Sequence, residues 1–414
     1  MGKGKFFLMA ICIFFLMFSS ACSETLEVGD PIVSDRQDSL KANDTSAWTG
    51  MGFYQPGYDD QFFYADDAVT ISAPGGIYYF FISNCYSFYY DFESEESYIL
   101  CSRPDCVHQN TADGWNEECD AFFSPAEYKI ENGMGYSDEK IYFLGKSSMS
   151  ETGVSLYSLK SDGSSREEVR TVFSIHSRDA IMEVVFHRGF FYYSLFDEDR
   201  KTVSMYQSSL DGTVNHKKIY STDGYAPYYS RLMGMGEYLY FQQDDATDET
   251  YEEFESVLYR YHIESGELSK VTDRIYFGYA IHEDRVYYLG KKDRMSMGIY
   301  DTSQETYKTI TFDREVYQMS CDGKYVYVTN FDYGGDGADN PVVFVLDFDG
   351  NIVDTIPLYT CISLCFGDQN SLIWLKKEER SDGNFLCLMR YDKEKIGSGD
   401  YTAQKMNEYK VNYG

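Results

Sequence analysis

The chain predicts an all-β fold, a propeller most simply built as seven four-stranded blades, on three observations. Its 414 residues include 40 tyrosines and 29 phenylalanines but only 8 prolines, and aromatic side chains favour the half-buried pleated surface of a strand. A short aromatic-aliphatic phrase returns seven times along the chain. Each later return is preceded by a turn and followed by a further strand, so the recurring unit reads strand–turn–strand–loop–strand–turn–strand.

The phrase is IYYFFI (77–82), IYFLG (141–145), FFYYS (190–194), YLYFQ (238–242), VYYLG (286–290), YVYVT (325–329) and LIWLK (372–376), with starts 64, 49, 48, 48, 39 and 47 residues apart. Each run has the length and content of a buried strand. The turns before it are SDEK (137–140), HRG (187–189), MGE (235–237), HEDR (282–285), CDGK (321–324) and GDQN (367–370), rich in the residue types that adopt the positive φ of tight hairpins. The strand that follows is seen in SLYSLKSDG (155–163), SMYQSSLDG (204–212), VLYRYHIESG (257–266) and VFVLDFDG (343–350), all closed by Asp-Gly or Ser-Gly. Four antiparallel strands every 40–50 residues describe a propeller blade. One blade has two apolar faces and stays dry only between neighbours. The long first unit leaves six or eight blades as alternatives.

Before the propeller come two other segments. Residues 1–21 have a basic start (Lys3, Lys5), a 13-residue apolar run from Phe6 to Phe18 and small residues before Cys22. This is the layout of a secretory signal, and the run is shorter than the roughly 20 residues of a bilayer span. Cys22 after Ser19-Ser20-Ala21 resembles the lipobox of bacterial lipoproteins, with Ser19 where Leu is usual. The resemblance implies cleavage before Cys22, a lipid on its thiol and a location on the cell membrane facing outward. Residues 22–58 form the tether, polar and acidic over SETLEVGDPIVSDRQDSLKANDTSAWTG, too poor in apolar surface to offset its ordering entropy. The propeller occupies 59–414.

Charge excludes one class of partner. The chain has 36 basic and 67 acidic residues, net −31, and loss of residues 1–21 with their two lysines takes it to −33. Nucleic-acid affinity rests on Lys and Arg displacing phosphate counterions, so no nucleic-acid partner is expected.

The stretch LCSRPDCVHQNTADGWNEECDAFF (100–123) concentrates the chemistry: Cys101, Cys106, His108 and Cys119. Cys3His is a ligand set for structural zinc, although C-x4-C-x-H-x10-C is not a common finger spacing. A disulfide, unbonded thiols and a Cys106–His108 nucleophile pair stay open as alternatives. The other cysteines favour free thiols. Cys361 and Cys365 sit four residues apart in one expected strand, about 13 Å, beyond disulfide reach. Cys387 lies in an apolar strand, and Cys321 has no evident partner. Elsewhere, QQDDATDETYEEFES (242–256) reads as an acidic lip or a solvated loop. FDYGGDGADN (331–340) offers Asp332, Asp336 and Asp339 to calcium without the EF-hand spacing. His187 and His282 read as turn residues.

From the tyrosine-rich hairpin at 76 through LCSRPDCVH to CDAFF at 123, the sequence resembles the extracytoplasmic propeller lipoproteins of Gram-positive bacteria. That resemblance implies a propeller at the cell surface and assigns no catalytic residue. The expectation is a tethered binding or scaffold module for an extracellular glycan, peptide or protein. The alternatives are a propeller-type enzyme, such as a polysaccharide lyase or glycosidase, and a structural part of a surface assembly.

Overall fold

A computed structural model of the chain describes residues 68–81, 85–106, 108, 116, 118–124, 126–129, 133–176, 179–222, 230–246, 254–290, 294–331, 340–358, 361–364, 367 and 370–411. The expectations for the signal (1–21), Cys22, the tether (22–58) and the Asp332, Asp336 and Asp339 calcium loop lie outside the described residues.

Among the described residues, twenty-eight strands form seven antiparallel sheets of four, each sheet made from one contiguous stretch of chain. The blades span 68–99, 134–174, 180–221, 230–272, 275–311, 318–357 and 361–411. Over its described residues each recurring phrase falls on the second strand of its blade, from Gly76–Phe81 in blade one to Ser371–Arg380 in blade seven, with Tyr325 just ahead of Val326–Thr329. A second strand is covered on both faces by neighbouring blades, and Gly76–Phe81 is buried at every position. Fourth strands lie at the rim. Thr306–Thr311 in blade five is almost wholly exposed, and Ile352 and Val353 in blade six show 47% and 43% of their surface. Among the described residues, no helix is long and apolar enough to cross a membrane.

The turns carry out the hairpin chemistry expected of them. In the turn from His187 to Phe190, Arg188 and Gly189 have φ of 48° and 78°. Two successive left-handed residues make the tight reversal that matches strand twist. His187 is more than a turn residue. It is buried, and its Nε2 lies 2.8 Å from the Gly236 carbonyl of the next blade. Gly234 faces it so closely that a Cβ there would stand 2.3 Å from His187 Cγ.

The ring is closed by packing. One apolar cluster fills each of the seven interfaces, and the seventh joins Tyr79, Phe81 and Phe88 of blade one to Ile373, Leu388 and Tyr409 of blade seven. Among the described residues no strand is shared between the first and last blades. Side chains bind them instead: Asn407 Nδ2 donates to Tyr79 Oη at 2.8 Å, Tyr90 Oη to Gln404 Oε1 at 2.7 Å and Ser97 Oγ to the Met406 carbonyl at 2.7 Å.

The interface of blades two and three contains a titratable stack. His216 lies against Tyr206 (centroids 4.1 Å apart, 5° between planes) and Phe173 (5.1 Å), and its Nδ1 shares a 2.7 Å hydrogen bond with Tyr193 Oη. Burial, with Lys218 nearby, holds its pKa below 6.5. A folded-state pKa below the unfolded one means that the unfolded chain binds the proton more readily. Stability therefore falls as pH drops below about 6.5. A His216→Phe variant, which keeps the stack and cannot titrate, is expected to show a flatter fall in Tm between pH 7 and pH 5. Parallel Tm profiles for both proteins would refute this.

Candidate functional site

The cysteine-rich segment leaves blade one after its fourth strand (Glu96–Ile99) and returns alongside the loop between the second and third strands. In an antiparallel meander those connections share one face of the ring. Two short turns shape the segment. Cys106 N–H donates to the Arg103 carbonyl at 3.2 Å, and Cys119 N–H to the Asn116 carbonyl at 3.0 Å. Arg103 Nη1 donates to the Glu118 carbonyl at 2.6 Å, and Ser102 Oγ to Asp120 Oδ2 at 3.1 Å, closing the two limbs together. The returning limb is then fixed by a bridge between Tyr86 and Phe122 and by Phe123 N–H donating to the Cys85 carbonyl at 2.8 Å.

This folding brings together all four residues singled out in the sequence. One ligand atom from each of Cys101, Cys106, His108 and Cys119 lies within 4.8 Å of every other. Tetrahedral sulfurs about 2.3 Å from a zinc ion stand about 3.8 Å apart, so the cluster needs little contraction to accept one. Cys101 and Cys119 are fully buried and Cys106 partly so. His108 is 7% exposed, and its Nε2 is buried without a hydrogen-bond partner. An orphaned imidazole nitrogen beside three thiols is the donor set of a metal site. All seven described cysteines are free thiols.

The electrostatics argue against a nucleophile. The Cys119 side chain and then His108 draw the Cys101 thiol down to about 3, against its burial. Cys119 is pushed up, first by Cys101 and then by burial, and burial also raises Cys106. The thiol easiest to ionise is thus one that solvent cannot reach. The partly exposed Cys106 beside His108 is not activated, whereas a reactive cysteine needs a low pKa and access together.

A second group, which the sequence reading did not single out, lies on the innermost strands of blades three, four and five. Glu183 (strand Ala180–His187), Arg231 (Ser230–Met235) and Tyr279 (Ile275–His282) follow one another at 48-residue intervals. Leu232 N–H donates to Glu183 Oε2 at 2.9 Å, and Tyr279 Oη donates to the Arg231 carbonyl at 2.9 Å. Strand irregularities aim these side chains. Ser194 pairs with Glu183 and Leu195 with Ile181, leaving Met182 as an extra residue. In blade five the register shifts between Ile275 and Tyr279, and Gly278 there has φ +65°. A Cβ on Gly278 would stand 1.7 Å from Arg231 Nη1, so glycine there lets the guanidinium lie directly against the backbone. Bulges that re-aim side chains are frequent beside functional sites. Glu183 lies deep in the ring while part of its surface still meets solvent, and burial raises its carboxyl to about 8 against the Leu232 N–H and Arg231. The signal that points to this trio is their recurrence at the blade period.

Other acidic groups are already satisfied. Glu378, Cys387 and Glu408 lie close enough to hold an ion, but Arg380 bridges both carboxylates, with Lys376 on Glu378 and Lys405 on Glu408. Burial raises Glu168, yet hydroxyls of Ser147, Ser148 and Ser155 and the Ser148 N–H bring it down to about 2. The start of the acidic stretch 242–256 is strand: Asp244 is buried and accepts from Gln242 Nε2 at 3.0 Å and from Ser256 Oγ.

Comparison with solved structures shows the propeller fold. A prolyl endopeptidase from a study of two such enzymes superposes with a TM-score of 0.54 at 13% identity, covering 90% of this chain and 53% of that one. The chain thus spans about half the length of that enzyme. The β-propeller domain of the Trilobed protease from Pyrococcus furiosus gives 0.47 at 11% identity over 85% of this chain and 98% of that one. TolB from Acinetobacter baumannii gives 0.40 at 14% identity over 79% and 76%. No protein-family model matches the sequence, and no curated protein does.

Proposed function

We propose that this propeller is a binding module, tethered outside the cell through Cys22, that captures an extracellular glycan, peptide or protein at its axis, and that zinc staples its first blade. The observation that carries the binding reading is the Glu183, Arg231 and Tyr279 trio, mounted on the inner strands of three consecutive blades with two irregularities shaping its surroundings. An axis lined by strand edges positions polar groups more rigidly than a surface loop does.

Glycan and peptide arrays probed with the full chain test it. Retention of one ligand class is expected, and silence on both would remove the binding reading. A second reading, a propeller-type lyase or glycosidase, draws on one observation. A carboxyl that stays protonated near neutral pH beside a guanidinium and a phenol has the form of a general acid. In that case the captured glycan would gain new chain ends on incubation, and Glu183→Gln would abolish the cleavage. An intact ligand would leave binding alone. The adjacent exposed Ile352 and Val353 are what a structural role in a surface assembly draws on.

Zinc is the metal that fits three thiols and an imidazole. With four protein ligands no position is left for substrate, which makes the site structural. Metal analysis of the reduced chain tests it. The lipid anchor predicts that Cys22→Ala moves the chain from the membrane fraction to the medium, and unchanged retention would count against it.

A further inference from the structure

Access to solvent separates one cysteine from the rest. Among the described residues Cys85, Cys101, Cys119, Cys321, Cys361 and Cys387 are buried, and Cys106 alone is partly exposed. Cys106 also stands beside two other thiols, its Sγ within 4.8 Å of those of Cys101 and Cys119. The cysteines elsewhere lack that company. Cys387 faces carboxylates instead, and burial first, then Glu378 and Glu408, hold its thiol up at about 11. Cys321 is wholly enclosed, and burial pushes its thiol well above the ordinary value.

The loop links the Cys106 sulfur to the turn that bears Cys119. Asn116 Nδ2 donates to Cys106 Sγ at 3.5 Å, and the Asn116 carbonyl accepts from Cys119 N–H at 3.0 Å. The contacts of Arg103 with Glu118 and of Ser102 with Asp120 hold the two limbs together around that point. A disulfide has its sulfurs about 2.05 Å apart. From at most 4.8 Å, that asks for a closure of under about 3 Å.

We propose that Cys106 is an oxidation site for hydrogen peroxide and that its disulfide with Cys119 expels the metal, resting on the reading of this cluster as a zinc staple. Coordination to zinc strips a thiol of its proton outright. In the loaded chain Cys106 therefore combines thiolate and access, the two conditions of a reactive cysteine. Its sulfur attacks one peroxide oxygen. An S–O bond forms, the O–O bond breaks and hydroxide leaves, giving a sulfenic acid on Cys106. The Cys119 thiolate then attacks the Cys106 sulfur. The S–S bond forms, the S–O bond breaks and a second hydroxide leaves. Two protons from solvent turn both hydroxides into water, and two electrons have passed from the sulfurs to the peroxide. Cys101 and His108 remain as ligands, and two donors are half of what a structural tetrahedral site requires.

The full chain is loaded with zinc under reducing conditions, freed of reductant and given hydrogen peroxide in small steps beside a chromogenic zinc chelator. Zinc should appear in proportion to the peroxide added until the chain is empty, and peptide mapping should find a Cys106–Cys119 disulfide. A thiol reductant should then restore zinc binding. A sulfenic-acid trap present at the first step should label Cys106. Cys106→Ser keeps three ligands, and its zinc should be released by peroxide at least about ten-fold more slowly. The label on the unaltered chain decides the matter if that variant does not hold zinc. Zinc retained through excess peroxide, a label on another cysteine, or any disulfide other than Cys106–Cys119 would overturn the oxidation site and leave the staple standing. A reduced chain that takes up no zinc would remove the staple and the oxidation site together.

Discussion

Replacing Asp322 with Ala is expected to lower the free energy of unfolding by about 3–5 kcal/mol, the usual cost of breaking a buried ion pair by removing one partner. Asp322 Oδ2 lies 2.8 Å from Lys393 Nζ, and the two side chains are 3% and 1% exposed. The carboxylate does more than neutralise a charge. Its Oδ1 accepts from Lys324 N–H at 2.7 Å and Tyr325 N–H at 2.8 Å, and its Oδ2 from Tyr327 Oη at 2.7 Å. Alanine would strand those donors as well as the ammonium, which also lies over the Tyr327 ring at 4.3 Å. Lys393→Met should cost less, because the remaining carboxylate keeps its three donors. The pair links the first turn of blade six to the short 3-10 segment Lys393–Lys395 of blade seven, so the damage falls on one interface of the ring. Urea unfolding with the slope held constant measures both variants. A loss below about 1 kcal/mol for Asp322→Ala, or the reverse ranking, would defeat the argument.

What the sequence made legible follows from where each strand sits between its neighbours. A second strand such as FFYYS is sandwiched between two blades, so both of its faces must be apolar. That requirement writes a continuous aromatic run that stands out at the blade period. The first strands, such as MGYS (134–137) and QMSC (318–321), are short and border the axis. No packing rule gives them a shared pattern. Fourth strands such as TYKTIT (306–311) lie almost wholly in solvent and resemble ordinary polar chain.

The same reasoning separates the two candidate sites. Cysteine and histidine are rare enough that four of them within nineteen residues announce a cluster before any geometry is known. Glu183, Arg231 and Tyr279 are one acid among 67, one base among 36 and one tyrosine among 40. Nothing about their types marks them out. They emerge only when a propeller register is laid over the chain. Asp322 and Lys393 are 71 residues apart, and only the packing of blade six on blade seven brings them together.

Stripping zinc from the reduced chain is expected to lower its stability by about 4 kcal/mol relative to the protein held at free zinc a thousand-fold above Kd, as mass action requires of a ligand that binds only the folded state. The donors already lie within 4.8 Å of one another without a metal, so a zinc ion would bind a site that folding has largely assembled. Without a divalent cation Cys106 and Cys119 keep their protons, because a second thiolate beside that of Cys101 would be repelled in a buried space. The consequence should also be local. Cys101, Cys119 and Phe122 belong to the same apolar cluster as Leu388, Met406 and Tyr409 of blade seven. Leu100 and Phe123, one residue away on either limb, pack instead toward blade two. Six of the seven interfaces are crossed by the chain on its way from blade to blade, but the one between blades seven and one is not. A loosened first blade therefore frays that interface before the others. Hydrogen exchange on zinc-loaded and chelated protein should show faster exchange over 76–99 and 383–411 while blades four and five, 230–311, keep their protection. Equal loosening of all seven blades would deny the site any special part in closing the ring. An unchanged unfolding midpoint, with metal analysis confirming complete removal, would mean that zinc does not hold this fold.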